Sequence, residues 1–554
     1  MGSLVLMFLM MSVLPLFRVR ILDEMAEAML TYVSKNKGGA ARRGNAPQYN
    51  NNRGGRRAQR RQLYRDLQKL YNKDKTKCAR MVLEGRWRHL GAPDQQVVVK
   101  EQLQDFWLNL FARPSEEDAR LGRTLVEEQL WQLQLPIEVE FKRVVTASNG
   151  SSAPGPDGWK PKDLRMFPEQ FWVDLFNIWL YIGYLPKVFR KARTVLLPKV
   201  DCPEEPGQYR PITISSIIVR VFHKILAARY VHWVPLHMAQ TAFLPTDGLA
   251  QNVMLLDAII SESKERIKPL YAIFLDVKKA YDSVNHSSVR RALQIHNVPP
   301  LVISYIMSTY KDASTEVMGK EGNVCRGVKH PLSCILFNIV MNEALLALNE
   351  QVGWPIRDAE SKVSALAFAD DVVLVAESEQ GLHAQLQLFL KYLEVSVLEI
   401  NPQKCATLKI QTVPRMKKWY VDTTHKTEIY GAQVHSLQPT AVYKYLGMHF
   451  SSAGRGKPDI QKLHEKLTAL DEAPLKPQQR LYILNKHLIP GIIHIMVLGS
   501  VCQNTLRTSD KVIRQMVRKW LKLPKDTLVG VFYAPAAAGG LRCICLLTKV
   551  PILR

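Results

Sequence analysis

The sequence predicts an α+β fold built from two or three cooperating subdomains. Three observations lead there. The chain has 554 residues with a hydrophobic fraction of 47%, too much for one small domain. Two apolar runs read as strands that end on acids, Leu270–Asp276 and the hairpin Val363–Ala376. Apolar residues at helical spacing flank them, as in Leu63, Leu67 and Leu70.

Charge narrows the choice of partner. Lys+Arg number 75 against Asp+Glu 50, giving +25 and a pI near 9.6, which points to a polyanion. Nucleic acid is the first candidate and an anionic membrane surface the second. The eight cysteines include no C-x-x-C and no paired His spacing. Neither a zinc site nor a disulfide framework is expected, and a reducing compartment fits.

The N-terminus opens on an almost wholly apolar run, Leu4 to Phe17. Its length suits a signal-peptide core, but Arg18 and Arg20 follow it rather than precede it, and no small-x-small cleavage site appears. It is also short for a membrane span, so a packed helix or stray extension ranks first and a membrane or secretory role is the minority reading. From Lys35 to Arg65 there are ten basic and no acidic residues, the pattern of a disordered cationic arm that contacts phosphate. Helical spacing returns from Arg60 to about Phe111. Turn formers in Ser151-Ser-Ala-Pro-Gly-Pro-Asp-Gly-Trp159 then mark a domain boundary.

Arg193-Thr-Val-Leu-Leu-Pro-Lys199 reads as a short strand with cationic ends, and Tyr209-Arg-Pro-Ile-Thr213 follows a Pro/Glu-rich loop. Such basic strand ends suit a triphosphate, although arginine on an exposed strand is common. Asp276 ends a buried strand, where sheet enzymes place reactive groups; a helix N-cap is an equal alternative for it taken alone. Asp370 and Asp371 stand at the junction of the second pair of apolar runs. A lone Asp-Asp there is an ordinary exposed turn, but a desolvated pair must be protonated, paired or bound to metal. Two acidic strand ends about ninety residues apart form a more specific pattern, because carboxylates on neighbouring strands can share metal ions about 4 Å apart for phosphoryl displacement.

With these residues in order, the chain resembles the reverse transcriptase of non-LTR retrotransposons, and within it the clade that inserts into ribosomal RNA genes. The resemblance rests on Asp276-(x4)-Tyr281 and Phe368-Ala-Asp-Asp371, with Ala153-Pro-Gly-Pro-Asp-Gly158, Arg210-Pro-Ile-Thr213 and Gln240-Thr-Ala-Phe-Leu-Pro-Thr-Asp-Gly248. It continues through Tyr443-Lys-Tyr-Leu-Gly447, Ala473-Pro-Leu-Lys-Pro-Gln-Gln-Arg480 and Gly539-Gly-Leu541, covering roughly residues 60 to 554.

That resemblance implies a right-hand polymerase with fingers, a palm carrying a small antiparallel sheet, and a helical thumb. The expected divisions are 1–59 for the apolar run and basic arm and 60–150 for an N-terminal helical extension. Fingers and palm would occupy 151–450 and the thumb 451–554. It implies RNA-directed DNA synthesis, in which Asp276, Asp370 and Asp371, with the backbone carbonyl of Val277, hold two Mg²⁺ ions. Asp370 weighs above Asp371, because strand neighbours point to opposite faces. Tyr281 would gate against a ribose 2′-hydroxyl, its alternative being an ordinary core aromatic. Arg193, Lys199 and Arg210 would contact the triphosphate or template. Lys404 would protonate or neutralise the leaving pyrophosphate. In the thumb, Lys511, Arg514 and Arg518 recur at helical spacing and would line a duplex backbone, with a solvated face as the alternative. RNA template, DNA primer or target and dNTPs are the implied partners, with no membrane partner, in the nucleus or in the cytoplasm before import.

The chain also departs from the family pattern. The loop that there reads Gly-Val-Lys/Arg-Gln-Gly-Asp-Pro-Leu-Ser reads Gly327-Val-Lys-His-Pro-Leu-Ser333 here. His330 stands in place of three residues, which shortens the reach by up to about 6 to 7 Å. Val397 takes a position usually given to Gly. The clade's zinc-finger, Myb-like, zinc-knuckle and endonuclease modules are not found, so the expectation is of a chain truncated at both ends. Two functional readings stand: an active RNA-directed DNA polymerase, or a degraded fragment that binds RNA or hybrid duplex without polymerising.

Overall fold

The computed structural model describes residues 15–36, 56–90, 98–113, 138–150, 152–200, 203–324, 332–356, 362–424 and 426–553. Residues 1–14 and 37–55, which hold most of the apolar run and of the basic arm, lie outside them, as does the His330 loop. The described residues are helices and small sheets together, an α+β fold. They fall into two compact units. The first lies within Met1–Ala41, Gln96–Asn252 and Ser263–Leu437, and the second within Arg42–Gln95, Val253–Glu262 and Gln438–Arg554.

The larger sheets of the first unit comprise β1 (Lys191–Pro198), β2 (Tyr209–Ile214), β3 (Leu270–Asp276), β4 (Ser314–Val317), β5 (Lys320–Asn323), β6 (Ala365–Phe368), β7 (Asp371–Ala376), β8 (Ala406–Val413) and β9 (Lys418–Val421). One sheet has the order β2-β1-β4-β5. The other has the order β9-β8-β3-β7-β6, with His435–Ser436 pairing β8. The main ladder of the second sheet is antiparallel throughout. Its central strands are apolar on both faces because both faces are covered: Leu270 to Leu275 and Val372 to Ala376 are all buried.

The helix Glu379–Val395 packs on this sheet. It is capped by Ser378, whose hydroxyl receives the Gly381 N–H, and buries Leu382, Leu386, Phe389 and Leu393 at intervals of three and four. The helix Ser333–Leu346 is buried almost all round, its apolar side chains facing every direction with Asn338, Asn342 and Glu343 buried among them. Its polar residues find partners inside: the Asn338 amide donates to the Ala242 carbonyl at 2.9 Å.

A buried histidine leans on the same helix. His296 caps His286–Ile295 at 2% exposure. The Asn342 amide donates to its Nε2 at 3.3 Å, while Asn342 Oδ1 receives the His237 N–H at 2.6 Å. Burial lowers the His296 pKa from 6.5 to about 4. The unfolded chain therefore binds a proton that the native state refuses, so this contribution to stability is complete above pH 6.5 and is lost as the pH falls toward 4. The shift amounts to on the order of 3 kcal/mol. Urea titrations at pH 7 and pH 4.5 are expected to show a steeper acid loss in the wild type than in His296→Leu. Equal losses would place the acid sensitivity in other groups.

The second unit is helical. Arg56–Lys73 and Lys75–Leu83 join Ile460–Glu472, Pro477–Leu498, Gln503–Leu521 and Leu546–Leu553 around one core that includes Leu67, Val82, Leu463, Ile483, Ile513 and Trp520. The helix begins at Arg56, so it takes in the last ten residues of the stretch expected to be a disordered arm. The correction has a simple cause: Leu67 and Tyr71 are drawn into the core, and burial of that stripe outweighs the exposed cations. Pro477–Leu498 is long and apolar enough to cross a membrane by length and composition, properties shared by core helices; Ile483, Leu484, Leu488 and Ile489 are buried here. A π turn over Leu484–Leu488 precedes Pro490, where the missing N–H and the ring would otherwise break the ladder.

Candidate active site

The acidic tip is a two-residue connection. Phe368 pairs with Asp371, leaving Ala369 and Asp370 to turn the chain. Ala369 takes φ +56°, a left-handed conformation that a non-glycine residue adopts only when held. Gln240 holds it. The side-chain Oε1 of this residue, 1% exposed, receives the Ala369 N–H at 2.8 Å, and its Nε2 donates to the Ala369 carbonyl at 3.4 Å. The segment itself is laid against β6 by the Thr241 N–H to Ala367 bond at 3.0 Å and the Ala367 N–H to Ala239 bond at 2.8 Å. At the far end of the same stretch, a Cβ on Gly248 would fall 2.0 Å from the Thr241 carbonyl oxygen, so only glycine closes the loop.

Asp276 and Asp371 are direct cross-strand partners. Like charges so placed are destabilising unless compensated. Burial, then the charge of Asp276, raises the Asp370 pKa, against its own backbone hydrogen bond and Arg210, which lower it. Asp371 keeps one side open to solvent, yet is pushed up to about 6 by the protein packed around it and by Asp370 and Asp276. The turn thus places Asp370 and Asp371 differently, and it joins both electrostatically to Asp276. Among the described residues, no three His, Cys, Asp or Glu side chains form a finished ligand set for a metal ion. What the tip supplies is hard carboxylate oxygen and surplus negative charge, donor chemistry that suits a divalent cation.

Asp276 is fixed by the segment that follows the helix Glu379–Val395. The Asn401 N–H donates to the Asp276 carbonyl at 2.8 Å, the Asp276 N–H reaches the Cys405 sulfur at 3.5 Å, and Val277 bridges to Ile400. The 3₁₀ turn Pro402–Lys404 between them sets the Lys404 Nζ 3.5 Å from the Asp276 carboxylate. Val397, where the segment leaves the helix, does adopt a left-handed φ of +58°, an unfavourable state for a β-branched residue.

Tyr281 lies on the short helix Ala280–Ser283, its ring 4.7 Å from that of Phe337. Burial, then Asp370, Cys334 and Asp371, raises its pKa far above the usual tyrosine range, which places it beside the acids. Lys199 belongs to the same neighbourhood. Burial first, then Lys404 and Arg210, lowers its pKa, while Asp282 and Asp276 oppose the shift. Its Nζ donates to the Gly207 carbonyl at 3.0 Å, and Arg210 pairs across with Leu197.

Two expected groupings do not form. Arg193 sits toward the opposite end of β1, opposite Ile214, and its Nε donates to the Pro154 carbonyl at 3.0 Å. At 3.3 Å per residue this is roughly 20 Å from Lys199. There Gly155 presses against the chain, for a Cβ would lie 2.7 Å from the Ser216 nitrogen. On Gln503–Leu521, Lys511 is exposed, but Arg514 and Arg518 are half-buried. Arg514 donates to the Tyr533 hydroxyl at 2.6 Å, and Arg518 donates to the Thr527 carbonyl at 3.1 Å and lies over the Phe532 ring. The segment 527–533 folds back over the ridge, so the three cations do not form one open row.

Sequence reasoning did not assign roles to Gln240, Asn401 and Cys405. The first lies in a family block already noted; the others follow from backbone contacts that no local pattern announces.

The chain is also similar to known proteins. Residues 197–450 match the family described as reverse transcriptase (RNA-dependent DNA polymerase). The chain is 35% identical over 515 residues to the Retrovirus-related Pol polyprotein from type-2 retrotransposable element R2DM of Drosophila melanogaster, covering 90% of this chain and 47% of that one. It is 36% identical over 504 residues to the Pol polyprotein from type-1 retrotransposable element R2 of Nasonia vitripennis, covering 89% and 48%. The corresponding protein of Bradysia coprophila is 34% identical over 518 residues, covering 90% and 58%. The chain spans about half the length of these relatives.

Proposed function

We propose that this chain performs RNA-directed DNA synthesis, a reading supported by the match of residues 197–450 to the reverse transcriptase family and by the likeness of the chain to Pol polyproteins of R2 retrotransposable elements. The chain would extend a DNA primer on an RNA template with dNTPs. The observation that carries the proposal is the register of Asp276 against Asp371, next to Asp370 in the turn, with the Lys404 ammonium 3.5 Å from Asp276.

In this reading Asp276, Asp370, Asp371 and the Val277 carbonyl would hold two Mg²⁺ ions, whose chemistry when bound would be charge neutralisation at the α-phosphate and a lowered pKa for the primer 3′-hydroxyl. Lys404 donates a proton to, or neutralises, the departing pyrophosphate. Lys199 and Arg210 receive the triphosphate. Tyr281, braced by Phe337, closes the space that a 2′-hydroxyl would need. Arg193, held by the Pro154 carbonyl, is better placed for template than for triphosphate. Lys511 contacts the duplex backbone, while Arg514 and Arg518 shape the surface beside it. The nucleus is the proposed site of action, and no membrane partner is invoked.

The test is primer extension by the whole chain on oligo-dT annealed to poly-rA, with dTTP. Incorporation that requires Mg²⁺ and stops with a chelator is expected. Absence of incorporation with hybrid-duplex binding intact would favour the reading of a degraded copy that binds without polymerising, and restoring Gln-Gly-Asp in place of His330 would then ask whether the short loop is the defect.

A further inference from the structure

The end of the second sheet remote from the carboxylates carries a surface that the proposed chemistry does not use. β8 runs past the end of β3: Ile410 pairs with Leu270, and three more residues lead to Val413. At 3.3 Å per residue the β8–β9 connection lies roughly 30 Å from Asp276. The connection and the edge strand β9 read Pro414-Arg-Met-Lys-Lys-Trp-Tyr420, without an acid, and every one of these residues is exposed. Lys417 turns the chain at φ +50°.

Trp419 pairs with Thr412 and Tyr420 with Gln411, so the two rings project from opposite faces of the edge strand. Both are about half exposed, at 40% and 52%. Beside them the loop that leads from the helix Gly248–Glu265 into β3 adds Lys264, Arg266 and Lys268. The Lys264 Nζ lies 5.4 Å from the centre of the Trp419 ring. Against these six cations the two segments, 264–268 and 414–420, hold one acid, Glu265.

Single exposed aromatics are ordinary, and it is the setting of these two, neighbours within an acid-free run of cations, that marks a binding surface. Cations alone would suit any polyanion, but aromatics interleaved with them specify an anion that also offers flat faces to stack on. Unpaired bases do so, whereas a duplex keeps its bases inside. We propose that the β8–β9 connection, with Trp419 and Tyr420 as stacking platforms and the surrounding lysines and arginines as phosphate contacts, is a docking surface for single-stranded RNA, separate from the carboxylate tip. The choice of RNA over DNA rests on the proposed RNA-templated reaction, in which the unpaired strand is template not yet copied.

The experiment uses the whole chain and a labelled 20-nucleotide oligo(U) bearing 4-thiouridine. Trp419→Ala is expected to weaken binding about tenfold, within the range of one lost base stack, and Trp419→Phe to restore most of it. The triple change Arg415→Gln, Lys417→Gln, Lys418→Gln is expected to reduce the slope of log affinity against log salt by about 2, since each cation contributes about 0.7 on a single strand. Cross-linking should map to residues 415–420, and incorporation of dTTP on a short saturating hybrid should stay unchanged. Wild-type affinity and slope in both variants would overturn the proposal. So would a loss confined to vesicles of phosphatidylserine and phosphatidylcholine, which would assign the surface to a membrane.

Discussion

Asp370→Asn is expected to reduce the single-turnover rate of primer extension on the order of a thousandfold, the equivalent of about 4 kcal/mol, while hybrid-duplex affinity stays within a few-fold of wild type. The same change should raise the melting temperature in metal-free buffer at neutral pH. Burial and the Asp276 charge disfavour ionisation of Asp370, so a neutral side chain of the same shape relieves that strain in the resting protein. Loss of rate together with gain of stability distinguishes a charge kept for chemistry from one kept for the fold. Retention of a tenth or more of the rate would remove Asp370 from the proposed mechanism. Loss of both properties would make it a structural residue.

Gln240→Ala is expected to lower kcat about a hundredfold with little change in KM for dTTP, the scale of effect when a reacting group moves by about 1 Å. The expected role of Gln240 is positioning, through its two hydrogen bonds to Ala369. It holds the left-handed Ala369 that aims Asp370, and deleting it leaves the buried Ala369 N–H without that acceptor, a penalty of about 1 to 3 kcal/mol. Gln240→Met separates the causes, because it keeps the volume and removes both hydrogen bonds. Equal losses in the two variants support positioning through the turn; recovery of kcat in the methionine variant would show that filling the space was enough.

Much of the candidate site is written locally in the chain. Leu270 to Leu275 is apolar at every position because β3 is covered on both sides, and the acid that follows it is conspicuous for that reason. The hairpin of β6 and β7 is legible in the same way. Register is not: that Asp276 faces Asp371 depends on strand pairing across about ninety residues. Arg193 and Lys199 looked equivalent as the two cationic ends of one strand, yet a strand's length separates them. The spacing of Lys511, Arg514 and Arg518 does define one helical face, but only the return of residues 527–533 decides that two of the three are half-buried.

The helical unit built from residues 56–83 and 460–553 has a consequence for synthesis. Leu67, Tyr71 and Val82 emerge from the ribosome roughly 380 residues before Ile460 and the helices that will cover them. At 5 to 20 residues per second the wait is about 20 to 75 s. During that time the first unit can fold around its own core, while the early helices carry an uncovered apolar stripe. Expression at lower temperature lengthens the wait, so soluble yield depends on what shields that stripe, such as a chaperone or a bound nucleic acid, as well as on the final stability of the fold.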